Sequence, residues 1–426
     1  MKKCVEQRKG AIPMKKCVLA LLLALTALLL SACGGMFQAQ DLMAGIQSQP
    51  VSAKVQDPEA DALAATEFSV RLFQACLTEG ENTLVSPLSV LCALAMTANG
   101  AQGETLAQME AVLGLPSEEL NACLCAYRQT LSAREDAQLN IANSIWLKDD
   151  DSLQVNEDFL NANAAWYDAG VYQAPFDKST VQDINAWVED HTGGLIQNIL
   201  DDIPESAVLY LINALVFDAQ WQNVYYDYQV KEGTFTKEDG TRQETEFMYS
   251  DEYAYLEDDS AAGVMKNYEG GAYAFVALLP KDGVSLADYA ASLTGENLRK
   301  LLETVQNVKV DTAIPKFRSE YTGELSELLQ SMGITDAFDP DLADFSALGE
   351  TTNGPLYISQ VLHKTFLAVD ERGTQAGTAT IVETSAGADA PEEGKTVYLD
   401  RPFLYMIVDR ETGLPVFLGT AVDLDQ

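Results

Sequence analysis

Apolar residues recur at helical spacing through the first part of the chain and at strand spacing beyond it. Phe68, Leu72, Phe73 and Cys76 stand at i, i+4, i+5 and i+8, which predicts an opening helix. "SPLSVLCALAMTANG" follows, with Ser86 as N-cap, Pro87 at the first helical position and Gly100 past the end. Leu106, Met109 and Leu113 predict a third helix stopped at Gly114, and Ile184, Trp187, Val188 and His191 a fourth stopped by Gly193-Gly194. Then the period changes. Val208 to Phe217 is a nearly unbroken apolar run suited to a buried central strand, and Ala272 to Leu279 is similar. Val308, Val310, Thr312 and Ile314 alternate, and the end reads as two strands, Phe403 to Val408 and Pro415 to Val422, joined by a turn through Asp409 to Gly413. Helices followed by antiparallel-looking strands, without an internal repeat, predict one α+β domain.

The N-terminus departs from both periods. "MKKCVLALLLALTALLLSACGG", Met14 to Gly35, has two lysines, an apolar run from Val18 to Leu30 and small residues around a cysteine. The run is shorter than the ~20 residues of a membrane span. Leu30-Ser31-Ala32-Cys33 resembles the lipobox of bacterial lipoproteins, which implies cleavage before Cys33, lipidation of its thiol and residence on the outer side of a cell membrane. Residues 1–32 are thus expected to be a signal peptide starting in truth at Met14, 33–57 a flexible polar tether, and 58–426 the folded domain.

Charge and cysteine usage then narrow the function. Taking the six bases and one acid of residues 1–32 from the totals of 27 and 64 leaves 21 bases against 63 acids, a net charge of −42. Nucleic acid as a partner is excluded by that balance, since phosphate binding needs a basic footprint. Four of the seven cysteines, Cys76, Cys92, Cys123 and Cys125, fall within the domain, and their positions call for neither a disulfide framework nor a metal site. Only His191 and His363 could serve a nucleophile, and neither lies in a nucleophile motif. His191, on an apolar helical face, reads as a core histidine. No phosphate-binding, dinucleotide or metallohydrolase motif is present. The sequence therefore points away from an enzyme and nominates no cofactor.

Five segments, in order, carry a specific resemblance: "ENTLVSPLSVLCALAMTANGAQGETLAQMEAVLGL", "INALVFDAQW", "VKVDTAIPKFRSEYTGELSELLQSMGITDAF", "LYISQVLHKTFLAVDERGTQAGTAT" and "DRPFLYMIVDRETGLPVFLGTAV". Together they resemble the serpins, the serine protease inhibitor superfamily. The resemblance implies a serpin fold of three β-sheets with about nine helices, a monomer, and an exposed reactive-centre loop at about 371–395. It further implies that Asn82, Ser86, Ser89, Asn213 and His363 form a polar cluster beneath the point where the main sheet opens, with Trp221 near the top of that sheet.

In an inhibitory serpin, cleavage lets the N-terminal part of the loop insert as a new central strand while the acylated protease is still attached; this insertion is a known instance of strand addition. Such a segment must be soluble as a loop and acceptable as a strand. Thr374, Ala376, Thr378 and Thr380 alternate, so they would share one inserted face, with Gln375, Gly377, Ala379 and Ile381 on the other. Glu371 matches the acid at the start of the family's hinge, and Gly373 supplies its freedom. Gly377 and Thr378 replace the family's more usual alanines. No proline or charge interrupts Thr374 to Val382, which favours an inhibitor over a non-inhibitory serpin acting as an envelope binding protein. Counting seventeen residues from Glu371 places the reactive bond at Gly387-Ala388, with Ala386-Gly387 as the alternative. Only small side chains surround it, and no Lys or Arg stands between Arg372 and Lys395. An elastase-like or subtilisin-like protease, bound covalently, is the expected partner; Glu383 and Asp389 keep a glutamyl-specific one open.

Overall fold

The computed structural model describes residues 37–46, 51, 54–132, 137–374 and 394–425. Residues from Ala39 onward form one unit. Its helices are α1 (Pro58–Cys76), α2 (Pro87–Ala98), α3 (Gly103–Leu113), α4 (Ser117–Ser132), α5 (Glu157–Tyr167), α6 (Lys178–His191), α7 (Leu286–Ser292), α8 (Gly295–Glu303) and α9 (Ser326–Met332), nine among the described residues. Every residue of α2 is buried, and Ser86 caps it by accepting from the Ser89 N–H. A wholly buried, mostly apolar helix with a polar N-cap is suited to lie beneath a sheet with its N-terminus turned towards polar groups.

The main sheet has seven strands: β1 (Gln40–Asp41), β2 (Ala137–Lys148), β3 (Gly170–Ala174), β4 (Leu209–Gln220), β5 (Phe317–Glu324), β6 (Gln360–Val369) and β7 (Gly373–Thr374), in the order β1-β3-β2-β4-β7-β6-β5. A six-stranded sheet includes Thr83–Val85, Tyr273–Pro280 and the C-terminal hairpin Phe403–Asp409 with Pro415–Ala421. A four-stranded sheet joins Val230–Thr236, Arg242–Glu252, Val310–Pro315 and Lys395–Tyr398, and Gln154–Val155 pairs with Gly349–Glu350 in a small ribbon. The α+β architecture, with three principal sheets and nine described helices, is as expected from the sequence. Not all strands are antiparallel, however: β4 runs parallel to β6 and β2 to β3.

Two further expectations change. Residues 39–46 are not tether: Gln40 and Asp41 extend the main sheet by pairing with Gln173 and Tyr172, the Ala39 N–H donates to the Asp183 carboxylate at 2.8 Å, and Leu42, Met43 and Ile46 pack on the core. Three apolar side chains and an unpaired strand edge outweigh the polar composition of the segment. His191 is not in the core. It ends α6 with 44% of its side chain exposed, stacked on Trp187 at 4.1 Å. The four domain cysteines are free, and burial pushes the Cys92 thiol up to about 12 and the Cys76 thiol to about 11.

Candidate functional site

β4 and β6 pair directly, in parallel, from Tyr210–Gln360 to Val216–Phe366. Above that point they separate, and β7 lies between them: Gly373 is opposite Gln220, and Thr374 is opposite both Ala219 and Val369. The turn feeding β7 is built by Asp370, whose carboxylate accepts from the Arg372 and Gly373 N–H groups at 2.8 and 3.2 Å. Trp221 holds the same turn from β4, its indole N–H donating to the Asp370 carbonyl at 2.8 Å and its backbone N–H to that of Arg372 at 2.8 Å. Lys316 bridges Glu371 and Glu246 at 2.7 and 3.0 Å. Burial raises the Glu371 carboxyl, but the Lys316 hydrogen bond and a backbone N–H prevail and hold it below the usual range.

Gly373 is required here for space rather than for freedom. A Cβ would overlap the Ala219 carbonyl oxygen and come within 2.8 Å of the Gln220 Cα, because the β4 backbone closes on it. Thr374 is fully buried, its hydroxyl hydrogen-bonded to the Tyr268 hydroxyl. Tyr268 in turn stacks on Trp221 at 4.5 Å and meets Phe217 edge-on at 5.0 Å. The first loop residue of the inserting face is thus already inside the sheet.

Lower down, one polar row crosses three strands. Asn143 on β2 is opposite Asn213 on β4, and Asn213 is opposite His363 on β6. His363 is fully buried, and burial alone lowers its pKa to about 3, so the imidazole is neutral. Its Nε2 accepts from the Ser86 N–H at 3.1 Å, so the proton sits on Nδ1 and is donated to Asn213 Oδ1. That oxygen also accepts from the Ser89 hydroxyl at 2.8 Å; Asn213 Nδ2 donates to Asn143 Oδ1, and Asn143 Nδ2 donates to the Ser89 carbonyl at 3.1 Å. Since the Ser89 hydroxyl donates to an amide and the imidazole Nε2 is taken by backbone, the row offers no nucleophile–base pair. It is a closed circuit tying β4 to β6 and both to the α2 N-terminus.

Asn82 lies apart from this row. Its Oδ1 accepts from the Val422 and Asp423 N–H groups at 2.8 and 3.1 Å, fastening the C-terminus instead. Asn143 and Tyr268 were not anticipated. Asn143 could have been: it interrupts the apolar column Leu139, Ile141, Ile145 at period two, the usual mark of a polar group with an inward task. Tyr268 left no local signal. The expected residues Gln375, Ala376, Gly377, Thr378, Ala379, Thr380, Ala386, Gly387 and Ala388, and the lipidation site Cys33, lie outside the described residues.

With this geometry in hand, the comparisons with known proteins agree on the class. The serpin family model, that of the serine protease inhibitors, matches residues 63–424. The chain belongs to the serpin family, whose members are generally protease inhibitors. The native crystal structure of the thermophilic serpin tengpin superposes with a TM-score of 0.87 at 46% identity, covering 91% of this chain and 100% of that one. Tengpin in its latent state gives a lower TM-score of 0.76, at 42% identity over 89% of this chain and 100% of that one. An uncharacterised serpin-like protein of Thermococcus kodakarensis is 30% identical over 84% of both chains.

Proposed function

We propose that this protein inhibits a serine protease as a suicide substrate. The protease serine attacks the carbonyl of Gly387, or of Ala386 in the alternative register; the Gly387-Ala388 bond breaks, and the acylated loop inserts between β4 and β6 before water can release it. The observation that carries this reading is β7, whose Gly373 pairs with β4 and whose Thr374 pairs with both β4 and β6, at the mouth of two strands that are otherwise joined to each other. Insertion exchanges one β4–β6 ladder for two new ones, and each net hydrogen bond adds about 1 kcal/mol. Small residues around the reactive bond favour an elastase-like or subtilisin-like target. The protein is further proposed to be held on the outer side of a membrane by lipid on Cys33; among the described residues no helix is long and apolar enough to cross one.

Incubation with an elastase-like protease, followed by a denaturing gel, tests the inhibitor reading. A protease-sized increase in mass is expected, and loop cleaved near Gly387 without complex and without a rise in melting midpoint would refute it in favour of a binding role. Fatty-acid labelling that persists in Cys33→Ser would refute the anchor.

A further inference from the structure

Exposed aromatic side chains are concentrated at one place on the domain. Tyr228, Tyr253 and Tyr398 are 73%, 60% and 41% exposed, and all three line a single open recess of about 890 Å³; among the described residues the one other exposed aromatic is Phe37. The rings are already set in place. Tyr226 and Tyr228 stack nearly parallel at 5.7 Å, and Tyr249 meets Tyr398 edge-on at 6.2 Å. Large rings with few rotamers lose little entropy on contact, and their clustering on a surface marks an interface core.

The recess also has a sign. Asp251, Glu252, Glu269 and Asp311 line it against one lysine, Lys266, which is buried against Glu252 at 2.5 Å. Lys309 at the rim contacts Asp251 and Asp311 at 3.0 and 3.6 Å, and Lys231 lies over the Tyr249 ring at 5.3 Å. Even with both counted the carboxylates remain in excess, within a chain of net charge −37. Tyrosine faces beside carboxylates suit a guanidinium or ammonium group, which the rings attract by cation–π contact and the acids by charge.

Its position identifies the visitor. Gln220 and Trp221 belong to its wall and also bond the loop mouth at Gly373 and Arg372, while Tyr398 ends the strand that leaves the loop at its other end. Any protein that grips the loop arrives beside this recess. We propose that it is a second docking surface for the protease that takes the reactive loop, receiving a surface segment that carries arginine or lysine. This inference rests on the loop reading and deepens it: the loop offers the bond to be cut, and the recess selects which protease reaches it.

The test compares the parent with Tyr228→Ala/Tyr253→Ala and with Glu269→Gln, using a basic elastase-like protease. The association rate constant is expected to fall ten-fold or more in the double variant and about three-fold in Glu269→Gln, with a flatter salt dependence. The ratio of complex to cleaved product should stay at the parent value, because it is decided later, at insertion. Leu342→Ala, an exposed apolar truncation outside the recess, should associate at the parent rate. A double variant within two-fold of the parent overturns the proposal. If the parent itself forms no complex, the loop reading fails, and the recess is read from equilibrium binding of the same protease with its active site chemically blocked. Binding lost in the double variant then supports the recess; equal binding, or none by the parent, overturns it.

Discussion

Acid should weaken this molecule through His363, and the structure sets the amount. The imidazole is fully buried with a pKa lowered from 6.5 to about 3, and it accepts one hydrogen bond and donates another. In the unfolded chain it protonates near 6.5. The unfolded state therefore binds more protons between pH 6.5 and 3, so this contribution to stability is complete above pH 6.5 and lost as pH falls through that window. At ~1.4 kcal/mol per pH unit, lowering the pH from 7.5 to 5 removes about 2 kcal/mol. Carboxylates titrate over the same range, so the measurement is a difference: urea unfolding of the parent and of His363→Gln at both pH values. The parent is expected to lose about 2 kcal/mol of its advantage at pH 5. His191, exposed at the end of α6, is present in both proteins and cancels. An advantage that is equal at pH 7.5 and 5 would refute the buried, neutral imidazole.

Three further outcomes are expected. Thr374→Arg should cost the resting protein a few kcal/mol, read by urea unfolding, since Thr374 is already enclosed by β4 and β6; Ala376→Arg, the next residue of the same face, should instead turn the inhibitor into a substrate, and an unchanged yield of complex on a gel would contradict this. Tyr268→Phe removes the hydrogen bond to Thr374, ~1 kcal/mol, so trypsin should cut after Arg372 about five-fold faster than in the parent. Asn143→Leu leaves the Asn213 Nδ2 without its acceptor and should destabilise the fold by about 1–3 kcal/mol in urea, where an effect below 0.5 kcal/mol would mean that the polar row is not a unit.

What the sequence disclosed was whatever a local period can carry. The capped helix at Ser86 and the central strand at Val208 to Phe217 each repeat within a few residues, and each predicts its own surroundings. The partners of polar groups are another matter. Asn82 and Asn213 are both asparagines near serpin motifs, yet one fastens the C-terminus and the other bridges three strands, a difference made by strand register over more than a hundred residues. The same holds for Gln40 and Asp41, whose destination is an edge strand that their own composition does not reveal. Tyr268 is legible only once Trp221 is beside it.

The pairing at β7 works as a ruler. Thr374 faces Ala219 on one side and Val369 on the other, so each further residue inserted antiparallel moves one position down both neighbours. Six residues on, ~20 Å deeper at the strand rise, the count reaches Asn213 and His363 together, and the residue that comes between them is Thr380. By the strand alternation its side chain would share the face of Thr374. Parting β4 from β6 takes the His363 proton away from Asn213, and the arriving hydroxyl can accept that proton and offer its own to the amide oxygen. Under the proposed insertion the circuit would be spliced rather than cut: the polar row would resist the first separation of the strands, yet leave no orphaned group once the loop had entered.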